Sequence, residues 1–61
     1  MDRILITFED DGTVTWASDG WGHDKKRMAE AKKAINDGET PDDVIRLLED
    51  ANFLVIEGKE V

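Results

Sequence analysis

The chain contains no cysteine, which excludes disulfide bracing, a thiolate-ligated zinc and a thiol nucleophile together. Basic residues are scarce: eight Lys and Arg stand against fifteen Asp and Glu, for a formal charge of -7 and a pI near 4.4. That balance argues against a duplex-binding protein, whose footprint is a basic face. A partner with a basic surface fits better, and no direct nucleic-acid contact is expected. No apolar run approaches the roughly 20 residues that cross a bilayer, and no basic-then-apolar leader opens the chain. A soluble, unexported, cytoplasmic protein with no membrane partner is therefore expected. Length is the remaining scarcity. A chain of 61 residues allows one domain, 1–61, and buries only about 60% of the surface it exposes when unfolded. A deep catalytic cleft does not fit in that, so neither enzymatic activity nor a cofactor is expected.

What is present is periodic. Residues 3–9 and 13–18 are rich in β-branched and aromatic types and flank Asp10-Asp11-Gly12, the pattern of a hairpin. A two-residue Asp11-Gly12 loop pairs Phe8 with Thr15 and puts Val14 and Trp16 on the face opposite Ile4, Ile6 and Phe8. A three-residue loop ending in a left-handed Gly12 pairs Phe8 with Val14 and Ile6 with Trp16. Only this second register gathers Ile4, Ile6, Phe8, Val14 and Trp16 on one face, and burial of a continuous face sets register. Asp24 to Asp37 reads as a helix with Gly38 as a left-handed terminator. Its stripe is thin: Met28, Ala31 and Ile35, with Ala34 beside them. Thr40-Pro41-Asp42-Asp43 is a compact second helix start, with Thr40 as N-cap, Pro41 in the first position and two acids facing the positive end of the dipole. Val44, Leu47, Leu48 and Ala51 follow at helical spacing as core, Ile45 flanks them, and Asn52 can end the helix. Phe53 to Glu57 reads as a third strand. The fold class expected is α+β, a small ββααβ domain whose two helices pack on one face of a three-stranded sheet. The long crossover permits the third strand to lie parallel to the first, in strand order 2-1-3.

Few residues suggest chemistry. His23 is the only histidine, with Asp19 and Asp24 near it, but the spacing matches no ligand signature and no Ser, Cys or second His accompanies it. An exposed loop residue beside a helix N-cap accounts for it. Asp10-Asp11-Gly12 lacks the alternating acids and distant Glu of a calcium loop, and Gly20 and Gly22 lack the strand and Lys of a phosphate loop. No metal site is expected. Trp16 falls on the inward face. Trp21 lies between glycines in a loop; tryptophan is enriched among residues that carry binding energy, which makes Trp21 a candidate anchor, although folding back to cap the core is the commoner fate.

The charges become informative on the topology. The hairpin tip and the helix-helix turn fall at one end, which collects Glu9, Asp10, Asp11, Asp37, Glu39, Asp42 and Asp43 with no Lys or Arg in either segment. The opposite end carries Trp21, His23 and Lys25-Lys26-Arg27, cations placed unfavourably at a helix N-terminus and explained otherwise as a solvated face. Acidic capping explains Asp42 and Asp43, but two acidic turns at one end exceed what capping requires. The leading expectation is a non-enzymatic protein-binding module, a small acidic inhibitor or adaptor that docks Glu9, Asp10, Asp11, Asp37, Glu39, Asp42, Asp43 and Trp21 onto a basic site of a larger protein. Inhibitors of phage or mobile-element type that imitate the charge of DNA agree in size and charge, which is analogy alone. The alternative is a structural or self-associating domain. The second sheet face carries Leu5, Thr7, Thr15, Ala17 and either Phe53 with Val55 or Leu54 with Ile56, and exposed apolar area marks an interface. That reading expects a weak homodimer, unless the tail from Gly58 to Val61 covers the face.

Overall fold

A computed structural model of the protein describes residues 1–58. Strand β1 (Asp2–Phe8) and strand β2 (Val14–Ser18) form the hairpin, helices α1 (Lys25–Asp37) and α2 (Pro41–Asp50) follow, and β3 (Phe53–Glu57) closes a three-stranded mixed sheet in the order β2-β1-β3. This is the expected ββααβ arrangement, with β3 parallel to β1 and Ile4 opposite Val55. The strand boundaries shift by about one residue from the sequence reading, and Asp24 is the N-cap of α1, accepting from the N–H groups of Lys26 and Arg27.

The hairpin takes the three-residue loop. Phe8 pairs with Val14 and Ile6 with Trp16, the Glu9 N–H donates to the Thr13 carbonyl at 2.8 Å, and Gly12 sits at φ +92°. An L side chain there meets no neighbour but must adopt the left-handed region. Gly12→Ala is therefore expected to lower unfolding free energy by about 1 kcal/mol. Urea denaturation reads it directly, and a midpoint equal to the parent's would contradict this turn.

Ile4, Ile6, Phe53, Ala31, Ala34, Val44 and Leu48 form the buried interior with Trp21. Ala31 and Ala34 are the residues that α1 gives to this interior, and the half-buried Phe8, Val14, Trp16, Met28, Ile35, Ala51 and Val55 pack around it. Trp16 is thus at the margin of the core, because β2 is an edge strand with cover on one side only. Leu47 is a clearer correction. Expected as core, it is 37% exposed, since the stripe that α2 turns inward is Val44, Leu48 and Ala51 and Leu47 lies on its flank. Gly38 is corrected as well. It ends α1 at φ -73° and ψ 131°, an extended conformation open to any residue. Glycine suits it for another reason: a Cβ there would stand 2.8 Å from the Val44 backbone nitrogen, so its absence lets the turn into α2 close. Thr40 caps α2 as expected, accepting from the Asp43 N–H at 3.2 Å, and Asn52 reverses the chain after it at φ 66°.

Candidate functional site

The tip of the antiparallel hairpin and the α1–α2 turn lie at the same end of the molecule. A cleft there is lined by Phe8, Glu9, Gly12 and Val14 from the hairpin and by Ile35, Gly38, Glu39 and Val44 from the helical turn. Its lining combines apolar side chains with two carboxylate-bearing residues, Glu9 and Glu39, one from each turn. A second, open cleft lies on the outer side of the hairpin tip, bordered by Thr7, Glu9, Asp10, Asp11, Thr13 and Thr15. Glu9 therefore borders both. Asp37 ends α1, and Asp42 and Asp43 occupy the first turn of α2, so they flank the cleft without lining it.

The seven acids differ in what they do for the fold. The Thr13 N–H donates to the Asp11 carboxylate at 2.9 Å. The Thr13 hydroxyl and that N–H together hold the Asp11 carboxyl below its ordinary value, because contacts that favour the charged form resist protonation. The stabilisation this implies is present above the ordinary carboxylate range and is lost as pH falls through the lowered value. Asp42 and Asp43 complement the dipole at the start of α2. By contrast, among the described residues the side chains of Glu9, Asp10 and Glu39 make no ion pair and no hydrogen bond. Clustered carboxylates without internal partners project a negative field that draws basic groups.

The opposite end is not the counterpart that the sequence suggests. Trp21 is 4% exposed; its indole N–H donates to the Arg3 carbonyl, and its ring lies 4.9 Å from that of Phe53 and 6.4 Å from that of Trp16. It is the core cap, and it has no surface to offer as an anchor. Arg27 also leaves the basic cluster. Its guanidinium carbon sits 3.8 Å over the Phe53 ring, and its nitrogens donate to Asp2 at 2.9 Å, to Glu30 at 3.0 Å and to the carbonyls of Ala51 and Asn52. Burial works against that charge, but Glu30 and Asp2 outweigh it and raise the Arg27 pKa above its ordinary value. A cation badly placed at the N-terminus of α1 is thus well placed at the C-terminal carbonyls of α2, which need donors. Sequence spacing concealed this because the acceptors lie 24 and 25 residues away. Lys25, Lys26 and His23 remain exposed.

Among the described residues no group of three or more His, Cys, Asp and Glu side chains is placed to hold a metal ion. No helix among them is long and apolar enough to cross a membrane. No protein-family model, curated protein or solved structure matches the chain.

Proposed function

We propose that this protein is a non-enzymatic protein-binding module that docks its acidic end onto a basic site of a larger protein. The observation that carries this reading is the juxtaposition of the hairpin tip and the α1–α2 turn around one cleft, with Glu9, Asp10 and Glu39 free of any intramolecular pairing among the described residues. Carboxylates retained where neither capping nor turn chemistry calls for them act outward. An inhibitor or adaptor role follows from occupying the partner's basic site, with DNA-like charge as one form of it.

The test begins with proteins that co-purify at low salt and leave at high salt, identified by mass spectrometry, since screening shortens the reach of exposed charges to about 8 Å at 0.15 M. With that partner in hand, replacing Asp10, Asp11, Glu39 and Asp43 by the corresponding amides is expected to slow association about tenfold or more while changing release much less, because these are steering charges. The fold should persist, as amides keep the turn acceptor at Asp11. An affinity unchanged both in this variant and between low and high salt removes the proposal.

A specific observation favours a second kind of contact. The sheet face turned away from the helices exposes Leu5, Leu54 and Ile56, an apolar surface suited to contact with another protein surface.

A further inference from the structure

We infer that the outer face of the sheet binds a second copy of this chain, face to face and with the strands of the two copies antiparallel. The inference shares Glu9 and Asp10 with the acidic-end reading but needs no other protein, and Leu5→Lys, on a strand outside that end, tests it separately.

The ladder arranges the face in rows. Leu5 pairs with Ala17 on one side and with Ile56 on the other, and Leu54 lies beside Arg3 in the next row. Leu5, Leu54 and Ile56 are 43%, 47% and 37% exposed. Among the described residues nothing covers this face, so these aliphatic side chains stand exposed on β1 and the edge strand β3; residues 59–61 of the tail that could cover it lie outside the described residues. Solvent-facing strands in sheets of this kind usually alternate to polar residues here.

Two features at the margins select a copy of the same chain over a foreign protein. At one end Arg3 is the cation of this face, more than half exposed and only 3.8 Å from Asp19, too long for a hydrogen bond. At the other end the open cleft bordered by Thr7, Glu9, Asp10, Asp11, Thr13 and Thr15 offers carboxylates and hydroxyls, with no cation lining it among the described residues. Arg3 and Thr7 lie two residues on either side of Leu5, so a two-fold axis across the strands at Leu5 lays Arg3 of each copy over Thr7 of the other, facing its acids. An isologous interface requires such self-complementarity, one patch carrying both halves of every contact. A patch of one sign would call for an unlike partner.

The area sets the strength. Three strands about 4.8 Å apart and roughly 17–20 Å long give a footprint of about 250–300 Å² per copy. That is far below the roughly 800 Å² of accessible surface per partner in a standard interface. The dimer is consequently weak, with a dissociation constant between roughly 10 µM and 1 mM. It forms only at ionic strength sufficient to screen two copies of charge -7 from each other.

Sedimentation equilibrium of the full chain from 10 µM to 2 mM in about 0.15 M salt tests this. The mass is expected to rise from 6.9 kDa toward twice that value. Leu5→Lys should remain monomeric throughout. Arg3→Glu and the double variant Glu9→Lys/Asp10→Lys should each weaken the dimer at least tenfold. An equimolar mixture of those two should associate at least tenfold more tightly than either alone, because each acid then faces a base in the antiparallel arrangement. All of these positions except Glu9 are exposed, and Glu9 is half-buried at the tip; far-ultraviolet circular dichroism confirms that each variant is folded. A constant 6.9 kDa species up to 2 mM overturns the inference. So does a dimer indifferent to Leu5→Lys, which would lie on another surface, and so does a mixture no tighter than its components, which would exclude the antiparallel pairing.

Discussion

Trp21→Ala should lower the unfolding free energy by about 3–5 kcal/mol, much of what this domain possesses. At roughly 0.05–0.15 kcal/mol per residue, 61 residues hold about 3–9 kcal/mol. The loss has two parts. Removing the indole empties the space against Phe53 and Trp16 at the end of the core. It also takes a donor from the Arg3 carbonyl, although the Asp19 N–H still reaches that oxygen at 3.2 Å, so the packing loss dominates. Each kcal/mol displaces the midpoint of such a small domain by about 4–8 °C, and thermal unfolding followed by circular dichroism should show a fall of at least about 12 °C. Trp21→Phe keeps most of the ring volume and should lose no more than about 2 kcal/mol. If Trp21→Ala melts within a few degrees of the parent, the residue is not the core cap described here. A folded Trp21→Phe should also bind any partner of the acidic end with unchanged affinity, since the ring is inside.

Leu48→Ala comes second, with an expected cost of about 2–5 kcal/mol. Leu48 is fully buried and lies on α2 between Val44 and Ala51, facing the same interior as Ile4, Ile6 and Phe53. A cavity there is surrounded by β-sheet and helix backbone and cannot collapse cheaply, which favours the upper part of the range. Leu47→Ala is the internal comparison. It sits on the same helix, one residue away and 37% exposed, and surface truncations of that kind fall mostly within about 0.5–1 kcal/mol. Equal destabilisation by the two substitutions would mean that α2 is rotated from the orientation described.

Much of the fold could be read from residue order because the decisive interactions are local. The Asp10-Asp11-Gly12 turn permits two registers, and only one gathers Ile4, Ile6, Phe8, Val14 and Trp16, so turn chemistry and face burial agree on the same hairpin. Thr40, Pro41, Asp42 and Asp43 act within one helical turn. A 3.6-residue period locates the inward side of α2 but not its width, which depends on what stands beside the helix. That is why Leu47 reads as inward from its spacing and lies at the rim. Gly38 shows a similar limit: its position at the end of α1 is evident from order, but the demand for glycine comes from the approach of Val44.

The candidate site divides along the same line. That Glu9, Asp10, Asp11, Asp37, Glu39, Asp42 and Asp43 share one end follows from alternating chain direction alone, and charge needs no side-chain detail to be counted. Which of them are spent on the fold, and that the hairpin and helical turns meet across a cleft, depends on hydrogen bonds and packing. Arg27 and Trp21 are the sharpest cases. Read in order, Arg27 belongs to a basic run at the surface and Trp21 is open between a binding anchor and a cap on the core, with the cap the commoner fate, because helix dipole and loop glycines are the only local facts about them. In the folded chain Arg27 reaches Phe53 and the carbonyls of Ala51 and Asn52, and Trp21 closes over Phe53. Those acceptors and ring faces exist only once β3 has come back beside β1, and no pattern within a window of ten or fifteen residues can contain them.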